Sequence, residues 1–287
     1  MKGVFPKGAA WVNGEFVDIS EAHIPILDWG FLRSDATYDV VHVWKGRFFL
    51  LDKHIDRFFM SLKKLRMPCE ISRHKLKKIL AGCVKHSGLE NAYVEMIQTR
   101  GMSPTFDRDP RKSNPRFMAF AVPFGWILKP EDIEMGLDAA VTKIKRISPN
   151  SIDPTIKNYH WLDFVSGMVE EKNNILEGVG FVFSLNKNVL ITPKKGVLQG
   201  ITRGVVIDIA KELHIPVKFG SISKEKLMSS SEFFATSTAG GIMPITKIDG
   251  KKIGLGNFGE TTRKLYKIYW EKHFSPDWSL SVDEILK

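Results

Sequence analysis

Apolar residues recur at helical spacing at Ile55, Phe58, Phe59 and Leu62, and again at Leu76, Ile79, Leu80 and Cys83. That period predicts two helices, each turning one face to a core. Asp52 is expected to cap the first and Ser72 the second, with Gly88 closing the second. Around them the period drops to two. AWVNGEFV at 10–17 predicts a hairpin, because Asn13-Gly14 suits a two-residue turn between apolar flanks. Residues 36–44 and 48–51 predict a second strand pair about the turn Lys45-Gly46-Arg47. Residues 92–99 predict a strand with Tyr93, Glu95 and Ile97 on one face and Val94, Met96 and Gln98 on the other. A charged Glu95 inside a strand points to a wet face or a pocket. Residues 101–116 form a long polar loop with Arg108, Arg111 and Arg116, of the length that lids and binding loops have.

The strand at 117–122 runs into PFGWILKPEDI, which reads as a crossing between domains. Beyond it, residues 137–144 predict a strand, and Leu162, Val165, Met168 and Val169 predict one apolar side of a helix. Strands follow at 181–185 and 189–193. Gly200-Ile201-Thr202-Arg203 leads into a helix with Val205, Val206, Ile209 and Leu213 inward. A strand at 232–238 ends in Ser237-Thr238-Ala239-Gly240-Gly241. The expected division is a small N-terminal α/β domain at 1–122, a linker at 123–131 and a larger C-terminal domain at 132–287.

Composition narrows the class. Hydrophobic residues make up 43% and charged residues 26% of the 287 positions, as in ordinary soluble globular proteins. The longest apolar run, 117–128, is too short for a membrane span and contains Pro123 and Gly125. The start, MKGVFPKG, lacks the apolar core of a signal peptide. Cys69 and Cys83 have no metal-ligand spacing, which suits a reducing cytoplasm and a core thiol at Cys83. The net charge of +10 is scattered, with no basic arm and no nucleic-acid-binding signature. No partner nucleic acid, membrane or metal is therefore expected.

The chemistry centres on DPTIKNYHWLD at 153–163. It sets Lys157 between an apolar Ile156 and the aromatic Tyr159 and Trp161, where an amine can serve as a nucleophile toward an aldehyde cofactor. Gly200-Ile201-Thr202 enters a helix whose free N–H groups suit an anion, though a plain loop-to-helix junction looks the same. Ser237-Thr238 offers hydroxyls beside glycines, or simply a turn. Arg57 can clamp a phosphate or lie on the surface. Glu177 can hold a pyridine nitrogen protonated or sit exposed at a strand edge. There is no phosphate loop, H-E-x-x-H, G-x-S-x-G or dinucleotide fingerprint.

In order, D-x-G-F, S-D, T-Y-D-V, L-D-x-H-I-x-R, D-P-T-I-K-N, E-G-x-G-F, G-I-T-R and S-T-A-G-G-I-M-P-I resemble the class IV aminotransferases. The match runs over nearly the whole chain and is nearest the (R)-selective amine transaminases. The resemblance implies the two-domain α/β (α+β) fold shared by D-amino acid and branched-chain aminotransferases, with a site at the domain interface. It implies pyridoxal 5'-phosphate as cofactor, amine or amino acid and oxoacid substrates, and a homodimer. On it, Lys157 is the Schiff-base lysine, Glu177 partners the pyridine nitrogen, and Arg57, Ile201, Thr202 and Thr238 hold the phosphate. Tyr38, Val40, Tyr93, Glu95, Trp161 and Ala239 line the substrate pocket, and Arg108 or Arg111 accepts a substrate carboxylate. Arg33 stands where the (R)-selective relatives tend to have histidine, which bears on substrate choice. The segment between the helix after Lys157 and Glu177 is shorter than the family's. The implied activity is transfer of an amino group to an oxoacid such as pyruvate, with (R) or D selectivity. Alternatives are a branched-chain or D-amino acid aminotransferase, an aminodeoxychorismate lyase-like enzyme, or a relative impaired by that shortened segment.

Overall fold

The structure, a computed structural model, describes residues 5–170 and 182–287. Its first elements are β1 (Ala9–Val12), β2 (Glu15–Asp18), α1 (Trp29–Arg33), β3 (Ala36–Trp44), β4 (Arg47–Phe49), α2 (Leu51–Lys64), α3 (Arg73–Ser87), β5 (Ala92–Met102) and β6 (Asn114–Pro123). Then come β7 (Leu137–Ala139), α4 (Leu162–Glu170), β8 (Val182–Asn186), β9 (Val189–Thr192), α5 (Ile201–Glu212), β10 (Val217–Phe219) and α6 (Lys224–Met228). The last are β11 (Glu232–Ser237), β12 (Gly241–Ile248), β13 (Lys251–Lys252), α7 (Glu260–Glu271), β14 (Ser279–Ser281) and α8 (Val282–Leu286). Two compact units result. The first takes the described part of Met1–Gly125 with Ile156–His160 and His273–Lys287; the second takes Trp126–Thr155 and the described part of Trp161–Lys272.

The first unit is an antiparallel sheet in the order β14-β4-β3-β5-β6-β1-β2, covered on one face by helices. Strand alternation decides which face each residue takes. Val41, Val43, Val94 and Met96 join Ile55, Phe58, Leu62, Leu76, Leu80 and Cys83 of α2 and α3 in one buried cluster. Tyr38, Val40, Tyr93 and Glu95 therefore fall on the opposite face. Register sets Val40 directly across from Glu95 and His42 across from Tyr93. Burial pushes the Cys83 thiol up to about 12, as befits the expected core thiol. The C-terminal tail completes the sheet through β14, and the rings of His42 and His273 meet there, Nε2 to Nε2, at 2.7 Å.

Two local expectations in this unit are corrected. Asp52 does not cap α2. Leu50 occupies the cap with φ 52° and no side-chain bond, because its N–H is drawn to Trp278 O at 2.8 Å, so Asp52 falls in the first turn. There its carboxylate meets Lys77 Nζ at 2.5 Å. The loop expected at 101–116 is shorter: β5 runs on to Met102 and β6 begins at Asn114, so Arg116 is a strand residue, bonded to Asn13 Oδ1 at 2.6 Å. Ser72 and Gly88 bound α3 as expected, the Ser72 hydroxyl accepting from Lys75 N at 3.2 Å.

The second unit holds a mixed sheet in the order β10-β9-β8-β11-β12-β13, with β7 pairing parallel to β12. Strand β7 stops at Ala139 rather than near residue 144, since Val141 N and Ile144 N bond to the side chains of Asp249 and Thr142. Helix α5 buries Val205, Val206 and Ile209, as its spacing predicted. Helix α4 behaves differently. It buries Gly167, and the apolar side built from Leu162, Val165 and Val169 is exposed at 76%, 46% and 76%. Among the described residues no helix is long and apolar enough to cross a membrane.

Candidate active site

Lys157 belongs to the first unit, where main-chain bonds fix it against β3 and α2. Its carbonyl accepts from Tyr38 N at 3.3 Å and from the Thr37 hydroxyl at 2.6 Å, and its N–H donates to Ser61 Oγ at 3.4 Å. Upstream, Asp153 accepts from Thr155 N and Oγ1 at 2.8 and 2.6 Å, an Asx turn within the second unit's chain. The half-buried Lys157 sets its ammonium 4.1 Å from the centroid of the Tyr38 ring. Attraction between a cation and a ring face suits that placement.

Tyr38 in turn stacks on Tyr159, with centroids 4.3 Å apart and planes at 19°. The Tyr159 hydroxyl donates to Glu95 Oε1, and Tyr93 donates to Oε2 at 3.0 Å. Glu95 is only 7% exposed, so it is buried rather than set on a wet face. Burial raises its pKa above the usual carboxylate range, while the two phenols and the Lys157 charge pull it back down. Tyr159 is raised far beyond an ordinary phenol by burial and then by the Glu95 charge, so it stays protonated and donates. Tyr38, Val40, Tyr93, Glu95 and Lys157 thus lie together within this unit. Tyr159, which the sequence showed only as an aromatic neighbour, joins them.

On the helix face of β3 lies a second polar group. Asp39, fully buried, accepts from Arg57 Nε at 2.7 Å and Nη2 at 2.8 Å, and it meets His54 Nδ1 at 2.8 Å. Burial alone would raise the Asp39 carboxyl, but the Arg57 charge and the bonds from Arg57 and His54 hold it well below the usual range. His54 and Arg57 share one α2 face because they are three residues apart. Arg33 and Arg108 lie elsewhere. Both are exposed; Arg33 Nη1 donates to Leu32 O at 3.0 Å. Arg111 is tied to Asp109 at 2.7 and 2.8 Å.

In the second unit, α5 begins at Ile201 after Gly200, a cap that has no side chain to offer the helix's first amides. Thr202 is buried, with 6% of its surface exposed. Thr238 and Ala239 form the turn from β11 to β12, where Ser237 Oγ accepts from Ala239 N at 3.2 Å. Gly241 has φ 65°, a left-handed value that glycine takes without strain. Trp161 packs edge-on to Phe164 at 5.4 Å. Glu177 lies outside the described residues.

The sequence pattern of the amino-transferase class IV family matches residues 36–248. The chain belongs to the class IV aminotransferases. It is 29% identical over 289 residues to a Methanocaldococcus jannaschii protein assigned as a branched-chain-amino-acid aminotransferase, covering 95% of this chain and 98% of that one. It is 26% identical over 268 residues to the D-alanine aminotransferase of Staphylococcus haemolyticus, covering 89% and 94%. The crystal structure of the branched-chain amino acid aminotransferase from Thermobaculum terrenum in its PLP form superposes with a TM-score of 0.81 at 22% identity, covering 96% of this chain and 98% of that one. This aminotransferase is accordingly a pyridoxal-phosphate-dependent transaminase with the two-domain α/β fold of that family. Each unit by itself offers donors of a kind that cofactor takes: the first an amine held on a tyrosine face, suited to an aldehyde, and the second the amides at the start of α5 with Thr202 in its first turn, suited to a phosphate.

Proposed function

We propose that this aminotransferase moves an amino group from a chiral amine or amino acid to a monocarboxylic oxoacid such as pyruvate, with (R) or D selectivity. Lys157 is the residue on which the reaction turns. When bound, the cofactor supplies an electron sink that lets a substrate α-carbon give up its proton. The Lys157 amine would take the proton from the donor's α-carbon and, in the second half-reaction, deliver one to the α-carbon of the acceptor, and Tyr38 fixes the direction of approach. Arg57, Ile201, Thr202 and Thr238 serve the phosphate in this reading, and Glu177 serves the pyridine nitrogen. Tyr38, Val40, Tyr93, Glu95, Trp161 and Ala239 bound the substrate, with Arg33 and Arg108 as outlying carboxylate partners.

The observation that carries the choice of acceptor is Glu95. A buried carboxylate with phenol donors on both oxygens, close enough to interact with Lys157, disfavours a second carboxylate on the substrate. Pyruvate carries one carboxylate and 2-oxoglutarate two. The second reading, a branched-chain aminotransferase, is supported by the Methanocaldococcus jannaschii relative. A panel of paired enantiomers of an aryl-alkyl amine, alanine and leucine, each run against pyruvate and 2-oxoglutarate, separates them. Preference for D-alanine or (R)-amines with pyruvate is expected. Preference for L-leucine with 2-oxoglutarate would transfer the enzyme to the branched-chain group.

A further inference from the structure

Lys157 is surrounded within its unit by several titratable groups. Strand β3 presents Tyr38 and Asp39, β5 presents Tyr93 and Glu95, α2 presents His54 and Arg57, and its own segment adds Tyr159 and His160. Most of these charges cancel. Asp39 and Arg57 form a close pair at 2.7 Å, and burial drives His54 toward its neutral form. Glu95 is the anion in this set that is not already in an ion pair with a described cation of the unit, and it interacts electrostatically with Lys157. An ionised carboxylate in so buried a place is costly unless it is hydrogen-bonded. Tyr159 and Tyr93 supply those bonds, one to each oxygen. Phenol donors to a carboxylate are charge-assisted and strong.

Tyr159 does two things at once. Its ring lies flat on Tyr38, the ring on which the Lys157 ammonium rests, and its hydroxyl grips Glu95. It sits two positions along the chain from Lys157, in a segment whose main chain is bonded to β3. One side chain therefore touches both the ring under the amine and a carboxylate whose charge acts on it. We propose that Tyr159 is a positioning residue for Lys157, its ring fixing Tyr38 beneath the amine and its hydroxyl holding Glu95 as a buried negative charge that acts on the amine. The role gains its importance from Lys157 being the reacting amine, but its test does not use the reaction.

The sign follows from electrostatics. A nearby anion favours the charged amine, so removing it lowers the pH at which Lys157 becomes neutral. Removing the Tyr159 hydroxyl raises the proton affinity of Glu95 further and weakens that anion, so it acts in the same direction by a smaller amount. The experiment is reductive methylation of cofactor-free protein with formaldehyde and cyanoborohydride from pH 6 to 10. Peptide mass mapping gives the rate at Lys157, and its midpoint reports the neutral amine. Relative to the parent protein, Glu95→Gln should lower the midpoint measurably, by up to about one pH unit, the scale of one nearby opposite charge. Tyr159→Phe should lower it less, and the double variant should match Glu95→Gln alone, since the hydroxyl acts through Glu95. Tyr159→Phe keeps the ring and its stack, and circular dichroism with a melting curve checks that each variant is folded. A midpoint unmoved by Tyr159→Phe, or single shifts that simply add in the double variant, overturns the role. Should Lys157 prove not to bind the cofactor, the midpoints remain readable, so failure of the transaminase reading and failure of the Tyr159 role are told apart.

Discussion

Lys157 and Tyr38 are joined twice. The Lys157 carbonyl accepts from Tyr38 N at 3.3 Å, and the Lys157 ammonium stands 4.1 Å from the Tyr38 ring centroid. The main-chain bond fixes the lysine's root and the ring fixes its tip. A four-carbon side chain that would otherwise sample many rotamers is held to one direction, which is what a nucleophile needs before its partner arrives.

Lys157→Ala should therefore abolish transamination while leaving the fold intact, because the bonds that anchor residue 157 are main-chain bonds. Circular dichroism should match the parent protein. Borohydride reduction of the holoenzyme followed by peptide mapping should put the pyridoxyl group on Lys157. An adduct on another lysine would refute the assignment.

Arg57→Ala is expected to do more than loosen a phosphate. It strips the fully buried Asp39 of its main cation, and breaking a buried pair from one side costs about 3–5 kcal/mol. Adding Asp39→Asn should recover much of that stability without restoring cofactor retention. Urea unfolding and dialysis of bound cofactor measure the two effects separately. Equal urea midpoints for the parent and Arg57→Ala would show the pair to be energetically idle.

Stability should fall as pH drops through 6.5. Burial depresses the His54 pKa below its usual 6.5, with the Asp39 bond opposing it. The unfolded chain then takes up a proton that the folded chain refuses, so this stability is complete above 6.5 and declines below it. One proton gives a slope of up to about 1.4 kcal/mol per pH unit. The depressed Asp39 carboxyl adds a second loss below its ordinary value of 3.8. Thermal melts between pH 7.5 and 5 should show the first loss, and His54→Asn should flatten it. A melt that is level across that window would contradict the burial of a neutral His54.

What could be read from the sequence was what local period and local chemistry encode. The hairpin at Asn13-Gly14, the faces of α3 and α5, and the shared strand face of Tyr93 and Glu95 follow from spacing, whereas Tyr38 and Val40 were joined to them only through the family resemblance. Pairings across distant segments could not be read this way. Asp39 looked like one more residue of T-Y-D-V, and only the packing of α2 on β3 turns it into the partner of Arg57 and His54. Tyr159 looked like an aromatic neighbour, and its bond to Glu95 spans 64 positions. Asp52 had the chemistry of a cap, but the turn out of β4 decided where the helix starts. The apolar side of α4 obeyed helical spacing and still stayed exposed, since a period shows which residues share a face and not what covers it.

Glu95→Gln should relax the choice of acceptor. On the proposed reading, Glu95 as an anion would oppose the distal carboxylate of 2-oxoglutarate but would have much less to oppose in pyruvate, whose one carboxylate both acceptors share. At an effective dielectric near 20, two like charges about 8–16 Å apart repel by about 1–2 kcal/mol, so removing one should favour the dicarboxylate by roughly ten-fold. The substitution also disturbs the surroundings of Lys157, which would slow both acceptors alike. The quantity to measure is therefore the ratio of kcat/KM for 2-oxoglutarate to that for pyruvate, in which a common loss cancels. That ratio should rise about ten-fold in Glu95→Gln even if both rates fall. Glu95→Asp keeps the charge and should leave the ratio near its parent value. A ratio unchanged in Glu95→Gln would mean that the carboxylate does not face the acceptor, and the preference for a monocarboxylic oxoacid would lose its physical basis.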